Sequence, residues 1–168
     1  MQIDTQRLTI TEFMMNMAMA VHLNSLDENT RRFVPDEVFE DLSEALDAVA
    51  FLMTRYDKLE NPLVYPVLMK DSGTYIGYVQ LVKIDEGYEI GYHIGEDYTG
   101  NGYATEAVKA FLPHIMRKKL LNQVYGICHA ENLASRRVLE KCGFEKIFEG
   151  TAPYHGAEAP VCKYIYKK

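Results

Sequence analysis

The feature of this sequence that most constrains its fold is a series of strands in the middle of the chain that ends in a glycine turn. Three apolar segments, Leu63–Met69, Thr74–Ile84 and Tyr88–Ile94, are separated by short segments that combine Asp and Gly. Such segments favour tight turns, and strands joined by tight turns pair antiparallel. After the third strand, Gly100-Asn101-Gly102 precedes a segment with helical spacing of apolar residues. The middle of the chain therefore predicts an antiparallel meander followed by a helix.

Helical and strand patterns also occupy the rest of the chain. A long amphipathic helix is predicted at Leu42–Leu59, because apolar residues recur there at helical spacing until Asn61-Pro62 interrupts them. Pro113 lies inside another predicted helix and should bend it or leave a carbonyl unpaired. This mixture of elements predicts a mixed α/β sheet. The further predicted elements are a strand at Leu8–Thr11, a helix at Met14–Leu23, a helical region from Asp36 to Glu40, a helix at Tyr103–Leu120, a strand at Gln123–Cys128, a helix at Asn132–Lys141, and strands at Glu145–Tyr154 and Ala159–Tyr166 joined by a turn at His155-Gly156.

Size and composition indicate an ordinary globular protein. The 168 residues, 48% hydrophobic and 25% charged, suffice for one domain spanning residues 1–168. Cys128, Cys142 and Cys162 are too scattered for a zinc site or a disulfide framework, so no metal is expected. The sequence shows neither a signal peptide nor a membrane span, and we expect a cytoplasmic protein without membrane contact. A formal net charge of −6 without a long basic run argues against nucleic acid as a ligand.

The glycine turn is a candidate anion site. Gly100 and Gly102 leave backbone amides unshielded where a helix begins. Unpaired N–H groups and the helix dipole favour a phosphate at such a position. These residues alone do not distinguish a mononucleotide from a dinucleotide or coenzyme A, and a glycine pair is also compatible with a simple tight loop.

Five short motifs, spread over nearly the whole chain, together resemble one known family. They are Thr5–Leu8, Glu89–Ile94, Gly100–Ala107, Ala130–Ser135 and Lys141–Phe144. In this order they resemble the GNAT superfamily of acyl-CoA-dependent N-acyltransferases, and within it the RimJ/RimL branch. Separate motifs in the right order are more specific than any one of them alone. The resemblance implies a central mixed, mostly antiparallel sheet flanked by helices, in which a splayed strand pair forms the acyl-CoA cleft.

The resemblance also implies a binding site for acetyl-CoA. The strand that ends at Ile94 would pair through its backbone with the pantetheine arm, and the amide of Ile94 would polarise the acyl carbonyl. The glycine turn would hold the pyrophosphate through its backbone amides. Asn132 would contact the pantetheine or lie beside the thiol. The implied cofactor-binding residues are Tyr92, His93, Ile94, Thr99, Gly100, Asn101, Gly102, Tyr103, Ala104, Thr105 and Asn132.

Two positions depart from the family pattern. The turn usually begins with Gln or Arg, whereas Thr99 stands here and cannot make the long side-chain contact with phosphate. We therefore expect a somewhat weaker affinity for CoA. Many members also carry a tyrosine that protonates the leaving thiolate, and Leu139 stands at the matching position. That role is either vacant or filled by Ser135, as the RimJ/RimL resemblance suggests.

The implied reaction is direct attack of a neutral amine on the thioester in a ternary complex. Because an amine is mostly protonated at neutral pH, a base or a water chain leading to one is useful. Glu89, beside the acyl site, is the candidate base, and a solvated residue or a contact to substrate charge are its alternatives. His93 is a neighbour of the acyl site, but a packed or solvent-facing ring is the simpler interpretation. Tyr154 and His155 are candidates for orienting an amine, with ordinary turn residues as the alternative.

Three classes of function follow from these patterns. The first is an acetyl-CoA-dependent N-acetyltransferase that acts on a primary amine of a protein N-terminus, a polyamine, an amino acid or a drug. The second is a non-catalytic acyl-CoA-binding or sensing module, which Leu139 motivates. The third is a nucleotide-binding protein, which would need the glycine motif after the first strand and a small residue where Thr105 stands. Both a monomer and a homodimer are compatible with the sequence, and the acceptor is not identified by it.

Overall fold

The computed structural model describes residues 1–168 and contains an eight-stranded sheet. The strands are β1 (Ile3–Asp4), β2 (Leu8–Ile10), β3 (Leu63–Met69), β4 (Tyr75–Ile84), β5 (Gly87–Ile94), β6 (Gln123–His129), β7 (Glu145–Tyr154) and β8 (Ala157–Lys167). Their spatial order is β1-β2-β3-β4-β5-β6-β8-β7. All neighbours pair antiparallel except β5 and β6, which are parallel. The predicted mixed, mostly antiparallel sheet is therefore confirmed.

Five α-helices lie beside the sheet. They are α1 (Ala18–Ser25), α2 (Glu28–Phe33), α3 (Leu42–Met53), α4 (Tyr103–Lys118) and α5 (Leu133–Lys141), with short 3-10 turns at Met15–Met17, Pro35–Glu37 and Glu96–Tyr98. The sequence patterns did not predict α2, which is only six residues long and depends on its cap. The Asp27 carboxylate accepts a hydrogen bond from the Thr30 amide at 2.7 Å. The helical region expected from Asp36 to Glu40 is limited to one 3-10 turn.

The helix predicted at Leu42–Leu59 ends earlier, at Met53. The Thr54 hydroxyl donates a hydrogen bond to the Phe51 carbonyl at 2.7 Å, which satisfies one carbonyl of the last turn. The apolar pattern continues because Tyr56 is buried and donates to the Val64 carbonyl at 2.6 Å, although it lies outside the helix. Burial therefore persists past the end of the helix, and periodicity alone overestimated the helix length.

Helix α4 covers one face of the sheet and continues through Pro113. Proline has no N–H group, so the carbonyl four residues earlier loses its usual partner. The helix nevertheless persists because its inner face is firmly packed, in agreement with the principle that tertiary packing supplies most helix stability. Its buried residues are Ala107, Val108, Phe111, Leu112, Ile115 and Met116.

The parallel pair β5 and β6 separates along its length. The two strands are in register only at Glu89 opposite Tyr125. Beyond this position β5 continues to Ile94, paired with β4 on its other side, while β6 continues beside β8. The sheet is therefore open between the C-terminal halves of β5 and β6, and the predicted splayed strand pair is present.

Candidate active site

The glycine turn lies at the N-terminus of α4 and presents unpaired backbone amides. Gly100 and Gly102 adopt φ values of 78° and 81°, where a side chain would be strained. No side chain caps α4, and the amides of residues 100–105 donate no hydrogen bond within the protein. The Asn101 side-chain amide closes the turn by donating to the Tyr98 and Thr99 carbonyls at 3.2 and 3.1 Å. This arrangement is suited to bind a phosphate through backbone amides.

An ion pair formed by Arg7 and Glu106 braces the glycine turn. The Arg7 guanidinium lies 4.5 Å from the centre of the Tyr103 ring. It donates to the Asn101 carbonyl at 3.0 Å and to the Glu106 carboxylate at 2.7 Å. Glu106 also accepts a hydrogen bond from the Thr5 hydroxyl at 2.6 Å. Sequence reasoning missed this pair because its members are 99 residues apart, and the N-terminal motif was the only signal.

The remaining predicted residues of the turn have different surroundings. The Thr99 hydroxyl donates to the Glu96 carbonyl at 2.9 Å and so points back along the chain. Ala104 lines the opening beside β5. Thr105 lies on the other side of the turn, where its carbonyl accepts a hydrogen bond from the Cys142 thiol at 3.7 Å. The anion-binding capacity of this segment therefore depends on the backbone more than on these side chains.

Two cavities meet where β5 and β6 separate. The first, of about 330 Å³, which we call the turn-side cavity, extends along β5 and α5 and reaches Thr99 and Ile94. The second, of about 440 Å³, which we call the hairpin-side cavity, lies below the β7–β8 hairpin. Four residues line both cavities, namely Val34, Tyr92, Asn132 and Ser135. A group bound at this junction would be reachable from both cavities.

Tyr92 and Ser135 form a hydrogen-bonded pair at the junction. The Tyr92 hydroxyl lies 2.9 Å from the Ser135 carbonyl and 2.8 Å from the Ser135 hydroxyl. Because a phenol has one proton, donation to the carbonyl requires the serine hydroxyl to donate to the phenol oxygen. Burial raises the pKa of Tyr92, so the phenol is neutral and remains a proton donor.

Asn132 and His93 differ in what they can contribute. The Asn132 side-chain oxygen accepts from the Ser135 amide at 3.1 Å and caps α5, which leaves the amide NH₂ without a partner in the protein. The His93 ring points to the opposite face of β5 from Tyr92. Its Nε2 atom lies 3.3 Å from the Thr30 hydroxyl and 3.5 Å from the Asp27 carboxylate. The His93 ring is therefore held beside α2 and its cap and does not join the Tyr92–Ser135 pair.

Glu89 lines the hairpin-side cavity at the point where the two strands separate. Burial raises the pKa of its carboxyl group to about 7, and the negative charge of Glu37 acts in the same direction. The Ile127 amide and Lys163 act in the opposite direction but do not cancel the effect. A carboxyl group with this pKa can accept a proton near neutral pH.

Sequence reasoning missed two carboxylates of the hairpin-side cavity. Glu37 and Asp36 come from the 3-10 turn after α2 and line the cavity opposite the hairpin. One Glu37 oxygen accepts from the Gln80 amide at 3.2 Å, and the other is buried without a partner. Burial raises the pKa of Glu37. The pattern at residues 36–40 suggested only a helix, so no local signal identified these side chains.

The β7–β8 hairpin closes this cavity. Its turn is formed by His155 and Gly156, which have φ values of 48° and 79°, as a tight hairpin turn requires. The His155 Nδ1 atom lies 2.6 Å from the Asp36 carboxylate and so joins the hairpin to the 3-10 turn. Tyr154 lines the cavity, and burial together with the nearby Glu89 carboxylate raises its pKa. These hairpin residues therefore belong to the cavity wall.

The remaining candidate chemistries have little basis in the structure. The three cysteines are buried and unpaired, and burial raises the pKa of Cys128 and Cys142 to about 11. A thiol with that pKa is a poor nucleophile at neutral pH.

No group of three or more His, Cys, Asp and Glu side chains is arranged to hold a metal ion. None of the helices has the length and apolar composition needed to cross a membrane.

Comparisons with known proteins agree on one family. A family model described as an acetyltransferase (GNAT) domain matches residues 7–145. An uncharacterized N-acetyltransferase of Bacillus subtilis (strain 168), YnaD, is 32% identical over 148 residues, which cover 87% of this chain and 84% of that protein.

Solved structures resemble the whole chain. An acetyltransferase of the GNAT family from Bacillus anthracis has a TM-score of 0.84 and 26% identity, and the match covers 99% of this chain and 98% of that one. RimL, a ribosomal L7/L12 alpha-N-protein acetyltransferase solved with coenzyme A, also has a TM-score of 0.84. Its identity is 18%, over 99% of this chain and 98% of that one, so this likeness concerns the fold.

Proposed function

This chain belongs to the GNAT family of acetyltransferases, and we propose that it transfers the acetyl group of acetyl-CoA directly to a primary amine. The family model and the relative from Bacillus subtilis make it an acetyltransferase. The RimL structure among its neighbours is consistent with the RimJ/RimL-like branch. The observation that carries the mechanism is the Tyr92–Ser135 pair, which lies at the junction of two cavities between splayed strands.

In this proposal the turn-side cavity takes the pantetheine arm and the glycine turn takes the pyrophosphate. The unpaired amides of residues 100–105 supply the donors for the phosphate oxygens. The free amide NH₂ of Asn132 is available to the pantetheine. That RimL was solved with coenzyme A supports this assignment by analogy of fold. The acetyl group would then lie between β5 and β6, with the Ile94 amide as a donor for the carbonyl oxygen.

The amine acceptor would enter from the hairpin-side cavity. Glu89 takes a proton from the ammonium group, directly or through water, and so supplies the neutral amine that attacks. Its pKa of about 7 suits this step, because the carboxylate is substantially ionised at neutral pH and yet basic enough to hold the proton. The nitrogen–carbon bond forms as the carbon–sulfur bond breaks, and no covalent bond to the enzyme is needed. The second proton that the nitrogen loses replaces, through water, the proton given to the thiolate, and Glu89 returns the first proton to the solvent.

The leaving thiolate takes its proton from the Tyr92–Ser135 pair. The buried Leu139 occupies the position at which many family members have a tyrosine, and its side chain packs against Gly126. Tyr92, which comes from the strand and not from the helix, brings a phenol to the same junction. Ser135 relays or donates the proton, since its hydroxyl lies 2.8 Å from the Tyr92 hydroxyl.

Isothermal titration with acetyl-CoA, followed by a thiol-release assay across a panel of primary amines, tests this function. We expect binding with a stoichiometry of one per chain and release of free CoA that depends on the amine. An absence of binding would refute the assignment of the two cavities. Binding without turnover on any amine would instead favour the non-catalytic binding module.

A further inference from the structure

A third cavity, which we call the apolar chamber, lies behind the hairpin-side cavity. It has a volume of about 210 Å³ and lies between the sheet and helices α1 and α3. Ten of its 18 lining residues are hydrophobic. An apolar cavity of about 150 Å³ is large enough to bind benzene, so this chamber can hold an aryl group with part of its linker. Its apolar wall includes Phe13, Phe39, Phe51, Leu52, Val64 and Tyr75.

The apolar chamber and the hairpin-side cavity share a border. Four residues line both of them, namely Asp36, Glu37, Tyr78 and Gln80. The Gln80 side chain lies flat over Gly91, where a Cβ atom would be 2.6 Å from its amide nitrogen. From there it donates to one Glu37 oxygen at 3.2 Å. The other Glu37 oxygen is buried and has no partner, so a positively charged or hydrogen-bonding ligand group would satisfy it.

The distance from this border to the candidate base is short. Gln80 lies opposite Gly91, and Val82 lies opposite Glu89, on the same pair of antiparallel strands. Positions two apart on a strand share one face and are about 7 Å from each other. A short alkyl linker therefore connects a group held in the apolar chamber with an amine held beside Glu89.

The charges around both cavities restrict the acceptor further. Glu37, Asp36 and Glu89 contribute carboxylates, and neither cavity is lined by a lysine or an arginine. Two histidines line the cavities, but His155 is already paired with Asp36 at 2.6 Å, and His93 lies 3.5 Å from the Asp27 carboxylate. A ligand carboxylate near the amine would be buried among carboxylates without a cationic partner, which is unfavourable.

We propose that the apolar chamber binds the side chain of the acceptor, and that the acceptor is a primary amine with an aryl-sized apolar tail, a short linker and no carboxylate. This inference rests on the proposed transfer to amines and specifies which amines the enzyme prefers. The Glu37 oxygen without a partner receives the ammonium group before it reaches Glu89. Small amines without a tail leave the chamber empty and gain nothing from it.

Steady-state kinetics at saturating acetyl-CoA test the preference with four amines. We expect 2-phenylethylamine to have a kcat/KM at least 10-fold above that of ethylamine, which has no tail, and above that of phenylalanine, which adds a carboxylate. Phenylalaninamide has a neutral carboxamide in place of that carboxylate, and its kcat/KM should recover most of the difference between phenylalanine and 2-phenylethylamine. Equal values for 2-phenylethylamine and ethylamine would overturn the inference, as would equal values for phenylalanine and phenylalaninamide.

Variants of helix α3 test whether the chamber is the cause. Ala48 lines the chamber, whereas Ala50 on the same helix is exposed and does not. Ala48→Phe should fill the chamber and reduce the 2-phenylethylamine to ethylamine ratio to near one, chiefly by lowering the value for 2-phenylethylamine. Ala50→Phe should leave the ratio as in the wild type. The smaller Ala48→Leu change provides a second test if Ala48→Phe does not fold. If the ratio is unchanged in whichever of these variants folds, the chamber does not bind the tail of the acceptor.

The two proposals fail in different ways. Acetylation of all four amines with similar kcat/KM values would refute the chamber but leave the transferase function intact. Acetyl-CoA binding without acetylation of any amine would refute the transferase function. In that case titration of 2-phenylethylamine into the protein still tests the chamber. Binding that is lost in Ala48→Phe and kept in Ala50→Phe would support the assignment of the tail to the chamber. Binding that neither change affects would refute that assignment.

Discussion

Glu89 is a buried carboxyl group whose pKa of about 7 follows from its position in the fold. It lies at the one position where β5 and β6 are paired, and it lines the hairpin-side cavity there. A carboxyl group in solution, with a pKa near 4.5, would be a weaker base for an ammonium group. The residue was identified from the sequence as a candidate base, but its pKa depends on neighbours that are distant in the chain.

Glu89→Gln should remove the general base and lower kcat/KM by about 10²-fold. In the wild type kcat/KM should rise with pH through an inflection near 7, because the carboxylate is the active form. The variant should lose this inflection and keep only the one that belongs to the amine substrate. Glu145→Gln, which changes an exposed carboxylate of β7 that forms no ion pair, is the matched control. An inflection near pH 7 that persists in Glu89→Gln would assign it to another group.

Ser135→Ala and Tyr92→Phe test the source of the proton for the thiolate. Each change removes one hydroxyl of the pair and leaves the other as a donor, so we expect turnover to fall by about 10-fold in each. The double variant should lose clearly more than either single one, because no hydroxyl remains at the junction. The dissociation constant of acetyl-CoA should change little, since the turn amides and the Asn132 amide to which we assign its binding are unaltered. Turnover that is unchanged in the double variant would leave protonation to water.

At the level of single elements, the conformation of the turn between β5 and α4 depends on its own glycines and on a contact from a residue far away in the chain. The two glycines determine its backbone, since both adopt positive φ. Arg7 then fixes it by contacts to the Asn101 carbonyl and to Glu106. The Thr99 hydroxyl donates to the Glu96 carbonyl, so we expect no contact between this side chain and a bound phosphate. Affinity for CoA should therefore depend on the order of the backbone amides more than on any one side chain.

Gly102→Glu should weaken acetyl-CoA binding by at least about 100-fold, because it adds negative charge where the pyrophosphate is expected. Gly102→Ala separates this effect from backbone strain, which costs about 1–2 kcal/mol at a positive φ. We expect Gly102→Ala to weaken binding by much less. Gly73→Glu is a further control, because Gly73 has a φ of 70° in a different turn with open space around it. Isothermal titration of all three variants gives the comparison, and similar affinities for Gly102→Glu and Gly102→Ala would refute the placement of the phosphate.

At the level of the whole molecule, the site exists because the sheet opens between β5 and β6 while the rest of it remains continuous. The opening places buried carboxyl groups beside cavities, and this reduces stability. A carboxyl group whose pKa is raised on folding stabilises the fold below its unfolded pKa, and that contribution is lost as pH rises through the folded pKa. For Glu89 the relevant interval extends from about 4.5 to about 7.

Glu89→Gln should therefore change how the stability of the protein depends on pH. Between pH 5 and pH 8 the wild type should lose about 2 kcal/mol of unfolding free energy through this group alone. The variant lacks the ionisable group. The unfolding free energy of the variant minus that of the wild type should therefore be about 2 kcal/mol larger at pH 8 than at pH 5. Urea denaturation at both pH values measures this difference. An identical pH dependence in the two proteins would contradict the raised pKa, and Glu145→Gln should behave like the wild type.

Much of the fold was predictable because its signals are local. Strand alternation, the Asp and Gly turns and the helical spacing each depend on residues close together in the chain, and they identified the meander, α4, α5 and the final hairpin. Boundaries were less predictable. The apolar pattern beyond Met53 reflects burial of Tyr56 outside the helix, and α2 is held by the single cap at Asp27.

The sequence by itself determined the glycine turn and the strand that leads to it, because positive φ and strand periodicity are properties of neighbouring residues. It also supplied Glu89, Ser135 and Asn132 as candidates through their motifs. Only the tertiary structure decided which side chains line the cavities between the splayed strands and behind them. Glu37 and the apolar chamber are built from helices, strands and a 3-10 turn that are far apart in the chain. No local pattern specifies such a cavity, since its shape, charge and pKa shifts arise from contacts that exist only when the chain is folded.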